Sequence, residues 1–259
     1  EATVTVSDAD MITLKAIDGL CTTAATGSSD CFVHATNALV IDLTKTSENN
    51  DDVTTDNANK NVATSPAVGV TTLTADSSVP TLTTFLHFNP NTGQVQLRFN
   101  EPVDTSSLVY SSFTFQSIAD KSNSNVVKYA LTKDGTAVYV DDTTKLDIVI
   151  TLHADDLEAI QLLTTTLLTS ISNSFVTVAA DAIADMAGKK LAEITGGLQL
   201  STIETRNAPK LVSYTLNMAT NKLALTFDSA MKVSLFVQTS VTLMSEKGSS
   251  GESVTLSTA

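Results

Sequence analysis

Side chains that commonly carry catalysis are scarce in this sequence. The chain has 259 residues and only three histidines, His34, His87 and His153, although histidine is the usual acid–base group near neutral pH. His153 precedes a helical pattern and could cap it, whereas His34 and His87 lie in strand-like segments. The sequence contains no Gly-Lys-Ser phosphate loop, Gly-x-Ser-x-Gly elbow or His-Glu-x-x-His motif. We therefore predict that the protein is not an enzyme.

Cys21 and Cys31 are the only cysteines. Two cysteines this close in an acidic, threonine-rich chain favour a disulfide over a metal site, and a disulfide indicates an oxidising, extracellular setting. A loop this short would contribute about 3 kcal/mol at most. Two free thiols are the alternative. The chain has no Asn-x-Ser/Thr sequon, so any glycan would be O-linked.

Aspartates near turns and strand ends are the candidate cation ligands, because Ca²⁺ prefers carboxylate oxygens. None of them has the spacing of a calcium loop, so a solvated acidic surface is the simpler interpretation; we predict no cofactor and no metal, with calcium as the alternative. The candidates are Asp51, Asp52 and Asp56 in one acidic stretch, with Asp104, Asp141 and Asp142 near strand ends.

Composition limits the classes of partner. The net charge is −13 and the pI about 4.4, with no basic cluster, which disfavours nucleic acid and anionic membranes. No run of 18 apolar residues is present, so no membrane insertion is expected. The chain is 42% apolar and rich in Thr, which favours folded β structure. The sequence has neither an initiator Met nor a signal peptide, which indicates processing or an interior piece of a longer protein.

A pattern that starts at Pro80 returns at Pro209. Apolar strand residues follow both prolines in the same order, at an offset of 129 for the prolines and 128 from Leu97 and Leu225 onward. One residue is therefore lost between the first two strands of the second copy. The sequence predicts a strand-rich unit of roughly 130 residues, repeated in tandem.

Turn signals divide the middle of the chain into short strands and one helix. Eight strands with regular turns predict a two-sheet sandwich, so the expected fold class is mainly all-β: tandem Ig-like β-sandwich repeats, each with one short inserted α-helix. The strands are expected near 82–88, 94–99, 113–117, 126–132, 136–140, 147–152, 175–179 and 197–203, and the helix near 155–168.

Residues 80–208 are expected to form a complete repeat, with half-repeats on either side. Residues 1–79 match its C-terminal half at an offset of about 146, and Ser7 with Asp10 predicts a capped helix there. Residues 209–259 match its N-terminal half. Either the chain is a window on a longer array, or neighbouring subunits complete the halves head to tail. Both junctions are short and end in proline, which limits swivelling.

Two motifs connect the repeat with a known family. The stretch 99–107 reads Phe-Asn-Glu-Pro-Val-Asp-Thr-Ser-Ser, and 185–188 reads Asp-Met-Ala-Gly. Both resemble hallmarks of bacterial S-layer-type Ig-like domains, and the whole repeat is similar to tandem repeats of large extracellular proteins of stramenopile algae, including mastigoneme (flagellar-hair) proteins and adhesins. Lys189 stands where that family usually has Asn, and the third copy lacks the Glu-Pro pair. The resemblance implies an Ig-like sandwich with structural or adhesive work outside the cell.

These observations predict a structural subunit of an extracellular filament or surface appendage, specifically a flagellar hair. Its partners would be copies of itself or neighbouring repeats, head to tail and laterally. Leu86 and Phe88 are candidate interface residues because their counterparts, Thr215 and Asn217, are polar; packing against the repeat's own helix is the alternative. A cell-surface adhesin that binds a protein or glycan through loops such as 47–61 is the second function considered.

Overall fold

The computed structural model describes residues 3–22, 30–36, 41–42, 59–60, 66–163, 166–248 and 251–257. Most of the regular structure is β, as predicted. The helices are α1 (Asp8–Ala16) and α2 (Ala154–Leu162). The strands are β1 (Phe32–Val33), β2 (Ile41–Asp42), β3 (Asn59–Lys60), β4 (Val68–Gly69), β5 (Leu82–Asn89), β6 (Gln94–Phe99), β7 (Val103–Asp104), β8 (Phe113–Gln116), β9 (Lys128–Ala130), β10 (Thr136–Tyr139), β11 (Asp147–Thr151), β12 (Phe175–Val178), β13 (Ala184–Asp185), β14 (Ile194–Ile203), β15 (Leu211–Asn217), β16 (Lys222–Phe227), β17 (Thr242–Met244) and β18 (Ser253–Thr255).

Strands β5 to β14 build a β-sandwich, which we call the central sandwich. Eight of them form one hydrogen-bonded series in the order β10-β11-β6-β5-β14-β12-β8-β9. The long strand β14 turns this series into two layers, because its first half pairs antiparallel with β12 and its second half parallel with β5. Phe85 on β5 and Phe115 on β8 meet across the layers with ring centroids 5.9 Å apart. The expected sandwich class is confirmed.

The helix α2 closes one end of the central sandwich. His153 caps it, since its Nδ1 accepts the Asp155 N–H at 3.2 Å. Leu157 packs over the β5–β6 turn so closely that a Cβ on Gly93 would lie 3.1 Å from its Cδ2, and Ile160 is buried in the core. The helix is shorter than predicted and ends at Leu162.

Two β-bulges in β5 decide which of its side chains face the core. Its pairing with β6 shifts register after Leu82 and again after Phe85. A bulge adds one residue and reverses the alternation of faces, so Leu82, Phe85 and Phe88 are 6%, 0% and 1% exposed. The prediction of Phe88 as an interface residue is therefore wrong: it packs inside its own sandwich. Leu86 is half-buried, and its role at an interface stays a prediction.

The hairpin β15–β16 repeats the pairing of β5–β6 with one difference. It has the first bulge and lacks the second. Val95 pairs with Phe88, and Leu223, which stands 128 residues further on, pairs with Leu216. Phe88 therefore corresponds to Leu216, not to Asn217. The residue lost between the two copies is the second bulge, which also removes the apolar-to-polar contrast that suggested an interface at Phe88.

The described residues before Pro80, which we call the leading segment, hold a capped helix and a disulfide. Ser7 Oγ accepts the Asp10 N–H at 3.1 Å and caps α1, as predicted from the sequence. A disulfide joins Cys21 to Cys31, immediately before β1, which pairs antiparallel with β4. The disulfide thus cross-links the chain between the helix and the β1–β4 pair. This region has few buried apolar side chains.

Candidate functional site

A pair of two-residue strands brings the two sequence motifs together. Strand β7 follows the Glu-Pro motif and pairs antiparallel with β13, with Val103 opposite Asp185. Glu101 and Asp185 therefore lie at the same end of the central sandwich, although 83 intervening residues separate them. Both side chains are buried, each residue being 4% exposed.

Asp185 organises the turn that follows it. Its Oδ1 accepts the N–H groups of Ala187 at 2.9 Å and Lys189 at 2.7 Å. Gly188 has a φ of +80° in this turn, a conformation that glycine adopts without strain. The Asp-x-Ala-Gly motif is thus an aspartate-stabilised turn that fixes the direction of the Asp185 carboxylate.

The leading segment brings a lysine to one of the two buried carboxylates, that of Glu101. Lys15, in the last turn of α1, places its Nζ 2.6 Å from Asp76 Oδ2, 3.1 Å from Glu101 Oε2 and 2.9 Å from Ser78 Oγ. Asp76 belongs to the junction that precedes Pro80. We call Asp76, Glu101 and Asp185 the carboxylate cluster; each offers an oxygen within 4.8 Å of the others, and no other such acidic group occurs in the described residues.

The pKa values of the two aspartates in the cluster are shifted in opposite directions. Burial alone would raise the pKa of Asp76, but hydrogen bonds from Lys15 and Ser78 outweigh it and lower that pKa. Burial alone would likewise lower the pKa of Lys15, and the bonds to Asp76 and Glu101 reverse the effect. Asp185 differs: burial raises its pKa, the turn N–H groups oppose the rise, and the charges of Glu101 and Asp76 add to it. The single ammonium serves Asp76 and Glu101, not Asp185.

Two oxygens of the cluster have no protein partner. Glu101 Oε1 and Asp185 Oδ2 are buried and, among the described residues, accept no hydrogen bond. Buried polar atoms are almost always paired. A cavity of about 700 Å³ adjoins them, lined by Met11 and Leu14 of α1, by the Glu-Pro pair, and by Asp185, Met186, Ala187 and Lys189.

The second junction uses the same helix position with different chemistry. Lys15 is the eighth residue of the nine-residue α1, and Gln161 is the eighth of the nine-residue α2. Arg206 Nη1 donates to Gln161 O and Nη2 to Gln161 Oε1, each at 3.2 Å, and Nη2 also donates to Ala230 O at 3.2 Å. Asn91 Oδ1 accepts the Asn207 N–H at 2.8 Å. Each helix therefore contacts the junction that follows it.

The aspartates predicted as calcium ligands are not brought together where the structure describes them. Asp104 caps a short 3-10 turn by accepting the Ser106 N–H at 2.9 Å, and Asp141 accepts the Thr143 N–H at 2.9 Å. Asp142 is exposed. Asp51, Asp52 and Asp56, with the rest of the 47–61 loop except Asn59 and Lys60, lie outside the described residues.

One histidine takes part in a row of polar side chains across the sheet. His87 Nδ1 lies 3.0 Å from Thr202 Oγ1 and its Nε2 3.1 Å from Glu204 Oε1. The order resembles a nucleophile–base–acid triad, but Thr202 Oγ1 donates its proton to Leu86 O at 2.8 Å. His87 must then donate to Thr202, which is the wrong direction for activating a hydroxyl. The row is a cross-strand contact between β5 and β14.

The carboxylate cluster was not predicted from the sequence. Glu101 and Asp185 belong to the two motifs of the S-layer-type resemblance, and no pattern in the sequence singles out Asp76. Their shared signal was present, because both motifs place an acidic residue next to a turn at one end of a strand. The partner Lys15 could have been found through the 146-residue offset that aligns α1 with α2.

No family model and no curated protein matches the sequence. Three solved structures of the bacterial S-layer protein SbsC are similar over 69% of this chain. The structure of rSbsC(31-844) is 13% identical with a TM-score of 0.30, the N-terminal part 17% identical with 0.30, and domains 1-6 14% identical with 0.31. The alignment spans 22%, 38% and 22% of those chains. Similarity at this level identifies no function, which must follow from the residues of this chain.

In the part of the chain that the structure describes, no helix combines the length and apolar character needed to cross a bilayer.

Proposed function

We propose that this chain is a structural subunit of an extracellular filament or surface appendage, of the flagellar-hair type, built from stacked Ig-like repeats. In this proposal, residues 80–208 are a complete repeat, and 1–79 and 209–259 are halves of its neighbours. The work of such a protein is mechanical: each sandwich buries its own core, and the junctions pass load from one unit to the next.

The observation that supports this proposal most is the recurrence of the junction contact. Lys15 and Gln161 occupy the same position of successive helices, and each is hydrogen-bonded to the junction that follows. The strand that opens each following unit is also fixed in the same way. Asn100 Oδ1 accepts the Thr81 N–H at 2.7 Å, and Asp228 Oδ1 accepts the Lys210 N–H at 2.8 Å. Contacts repeated at two junctions are expected of an array that keeps its units in one orientation.

An extracellular setting is part of the proposal. The disulfide between Cys21 and Cys31 would be reduced in most cytosols and is stable outside the cell. Disulfide closure also suits the leading segment, because few apolar side chains are buried there. The net charge of −13 is compatible with a soluble, extended surface structure.

The proposed self-association has a defined surface. Tyr214 and Leu216 on β15 are 58% and 43% exposed, whereas Phe85 and Phe88, at the matching places of β5, are buried. In the central sandwich that face is covered by the opposite layer, which includes β8 and β12. We propose that the second half of a repeat, from the same array or from a neighbouring subunit, covers β15 in the same way.

Negative-stain microscopy of native material tests the function. Ordered fibrils with a regular axial repeat would support the filament, and isolated flexible rods would instead support the adhesin. The purified chain adds a sharper comparison: Leu216→Lys should prevent association in sedimentation experiments, while Thr215→Lys, on the neighbouring position of the same strand, should not. Equal behaviour of the two variants would contradict the proposed surface.

A further inference from the structure

The carboxylate cluster holds more negative charge than its surroundings neutralise. Three carboxylates, those of Asp76, Glu101 and Asp185, face the single ammonium of Lys15. Glu101 and Asp185 are each 4% exposed, and buried charges are stable only when they are paired and hydrogen-bonded. Lys189 also lines the cavity, but among the described residues only Lys15 forms ion pairs with the cluster, so the carboxylates outnumber the ammonium groups that pair with them.

The buried oxygens show where a further positive group would bind. Lys15 approaches Oε2 of Glu101, and the turn N–H groups take Oδ1 of Asp185. The remaining oxygens, Glu101 Oε1 and Asp185 Oδ2, are buried and have no hydrogen-bond partner among the described residues. One oxygen of each side chain is thus fixed by the protein, and the other is left for a ligand.

We propose that Asp76, Glu101 and Asp185 bind a divalent cation, Ca²⁺ in preference to Mg²⁺, between the leading segment and the central sandwich. Two oxygens bound to one Ca²⁺ at about 2.4 Å lie at most about 4.8 Å apart, and the cluster satisfies this limit, since one carboxylate oxygen from each of the three residues lies within 4.8 Å of the other two. Ca²⁺ accepts irregular sites with mixed carboxylate and water ligands, whereas Mg²⁺ requires near-octahedral geometry at about 2.0–2.1 Å.

Lys15 sets the affinity of this site. Its ammonium is bonded to Asp76 and Glu101, so it repels the cation while it holds the leading segment in place. Removal of its charge should therefore tighten cation binding, although it weakens the junction when no cation is present. A purely structural ion pair predicts only the second effect.

Cation binding would connect separate parts of the chain. Asp76 belongs to the junction, whereas Glu101 and Asp185 belong to the central sandwich. A shared cation would hold the leading segment against the sandwich and stiffen the first junction. This inference does not depend on the filament, because it concerns contacts within one chain.

Calcium titration of the whole chain, first stripped with EGTA, tests the proposal. Isothermal calorimetry with CaCl₂ up to about 10 mM covers the affinity range of extracellular modules, about 10⁻⁴–10⁻³ M. We expect one saturable site, and a rise in Tm of about 3 °C or more at saturation. MgCl₂ at the same concentrations should bind more weakly.

Four variants separate a built site from non-specific binding. Glu101→Gln and Asp185→Asn should each weaken Ca²⁺ binding about tenfold or more, and Asp142→Asn, which removes an exposed charge, should leave it unchanged. Lys15→Gln should tighten binding by about tenfold. Absence of saturable binding by the unaltered chain would overturn the proposal, and so would a Lys15→Gln variant that binds Ca²⁺ no better. If either cluster variant fails to fold, these two measurements still decide.

A proton shared between Glu101 and Asp185 is the rival way to satisfy the two oxygens. It predicts that CaCl₂ does not raise the Tm of the chain. It also predicts that Asp185→Asn raises the Tm in EGTA, and that neither the variant nor the unaltered chain shows saturable Ca²⁺ binding in calorimetry. That combination would also refute cation binding.

Discussion

Replacement of Asp156 by Asn tests how the helix is attached to the central sandwich. The Asp156 carboxylate is fully buried and accepts hydrogen bonds from Tyr129 Oη at 2.7 Å, Thr132 Oγ1 at 2.6 Å, Thr132 N at 3.1 Å and Lys133 N at 3.1 Å. These donors lie on and just after β9. One side chain in the first turn of α2 therefore fixes the helix to the layer that contains β9.

An amide of the same shape cannot satisfy this set of donors. Its oxygen can keep the Tyr129 and Thr132 bonds, but its NH₂ group would then face the Lys133 N–H, donor against donor. The retained bonds also lose their charge, and bonds to charged groups contribute about 1.5–3 kcal/mol against about 0.5–1.5 for neutral ones. Thr132 and Lys133 are exposed residues, so water can relieve part of the loss. We expect a total cost of about 2–4 kcal/mol, or a fall in Tm of about 10 °C.

The effect should depend on pH with a defined sign. Burial alone would raise the pKa of Asp156, but the bonds from Thr132, Tyr129 and Lys133 outweigh it and hold that pKa below its usual value. A carboxyl with a lowered folded pKa adds stability above its unfolded pKa of about 3.9 and loses it as the pH falls through the folded value. The stability difference between the unaltered chain and Asp156→Asn should therefore shrink below about pH 4.

Denaturant unfolding followed by circular dichroism measures this difference. Asp155→Asn is the matched control, because Asp155 is the preceding residue of the same helix turn and is exposed; it should cost about 1 kcal/mol at most. If the two variants were equally stable, or if the cost of Asp156→Asn were the same at pH 3 and pH 7, the proposed role of the buried carboxylate would be wrong.

Three further expectations follow from packing. Phe88→Ala should lower the free energy of unfolding by about 3–5 kcal/mol in denaturant experiments. Leu86→Ala should lower it clearly less, because Leu86 is only half-buried; an equal loss would contradict the bulged register. Gly135→Ala would place a Cβ 2.1 Å from Thr151 O and should destabilise by more than about 2 kcal/mol, whereas Gly196→Ala, with nothing within 4 Å of its Cβ, should be nearly neutral by the same measurement. Reduction of the disulfide should destabilise the leading segment by about 3 kcal/mol at most and leave the main calorimetric transition of the central sandwich in place; loss of that transition would show that the two regions unfold together.

The strands of the central sandwich were predictable because their local signals agree. Alternating apolar residues and turn sequences such as Lys133-Asp134-Gly135 locate β5, β6, β8, β10, β11 and β12 to within about two residues. Strands β7 and β13 escaped prediction because a pairing of two residues leaves no periodicity to detect. Strand β14 was predicted as one strand, but its membership of both layers depends on partners far away in the sequence.

The strand β5 was predicted correctly, but Phe88 was assigned to the wrong face of it. Alternation within β5 is broken twice, and each bulge moves the following side chains to the other face. The offset change from 129 to 128 had already indicated an irregular residue between the two strands. Its position was not marked by glycine or proline, so only the pairing register identifies it as the second bulge of β5.

The carboxylate cluster was hidden for a different reason. Its three members, at positions 76, 101 and 185, and their partner Lys15 come from four separate parts of the chain. Local spacing favoured the aspartates of acidic loops, which lie close together in sequence and are also the easiest for water to solvate. Burial distinguishes the two groups: Asp104 and Asp141 complete turns near the surface, whereas the carboxyl groups of Glu101 and Asp185 lie inside the protein.

The two junctions share geometry and differ in charge, and this difference decides how each would respond to ions. At the first junction the helix contributes a cation, Lys15, to an acid-rich cluster. At the second it contributes the neutral Gln161, and the cation Arg206 bonds to amide and backbone oxygens. Ser229 stands 128 residues after Glu101, so the central carboxylate of the first junction has no counterpart at the second. A chelator should therefore loosen only the first junction, and an array with such alternating junctions would stiffen with calcium at some joints and remain unchanged at others.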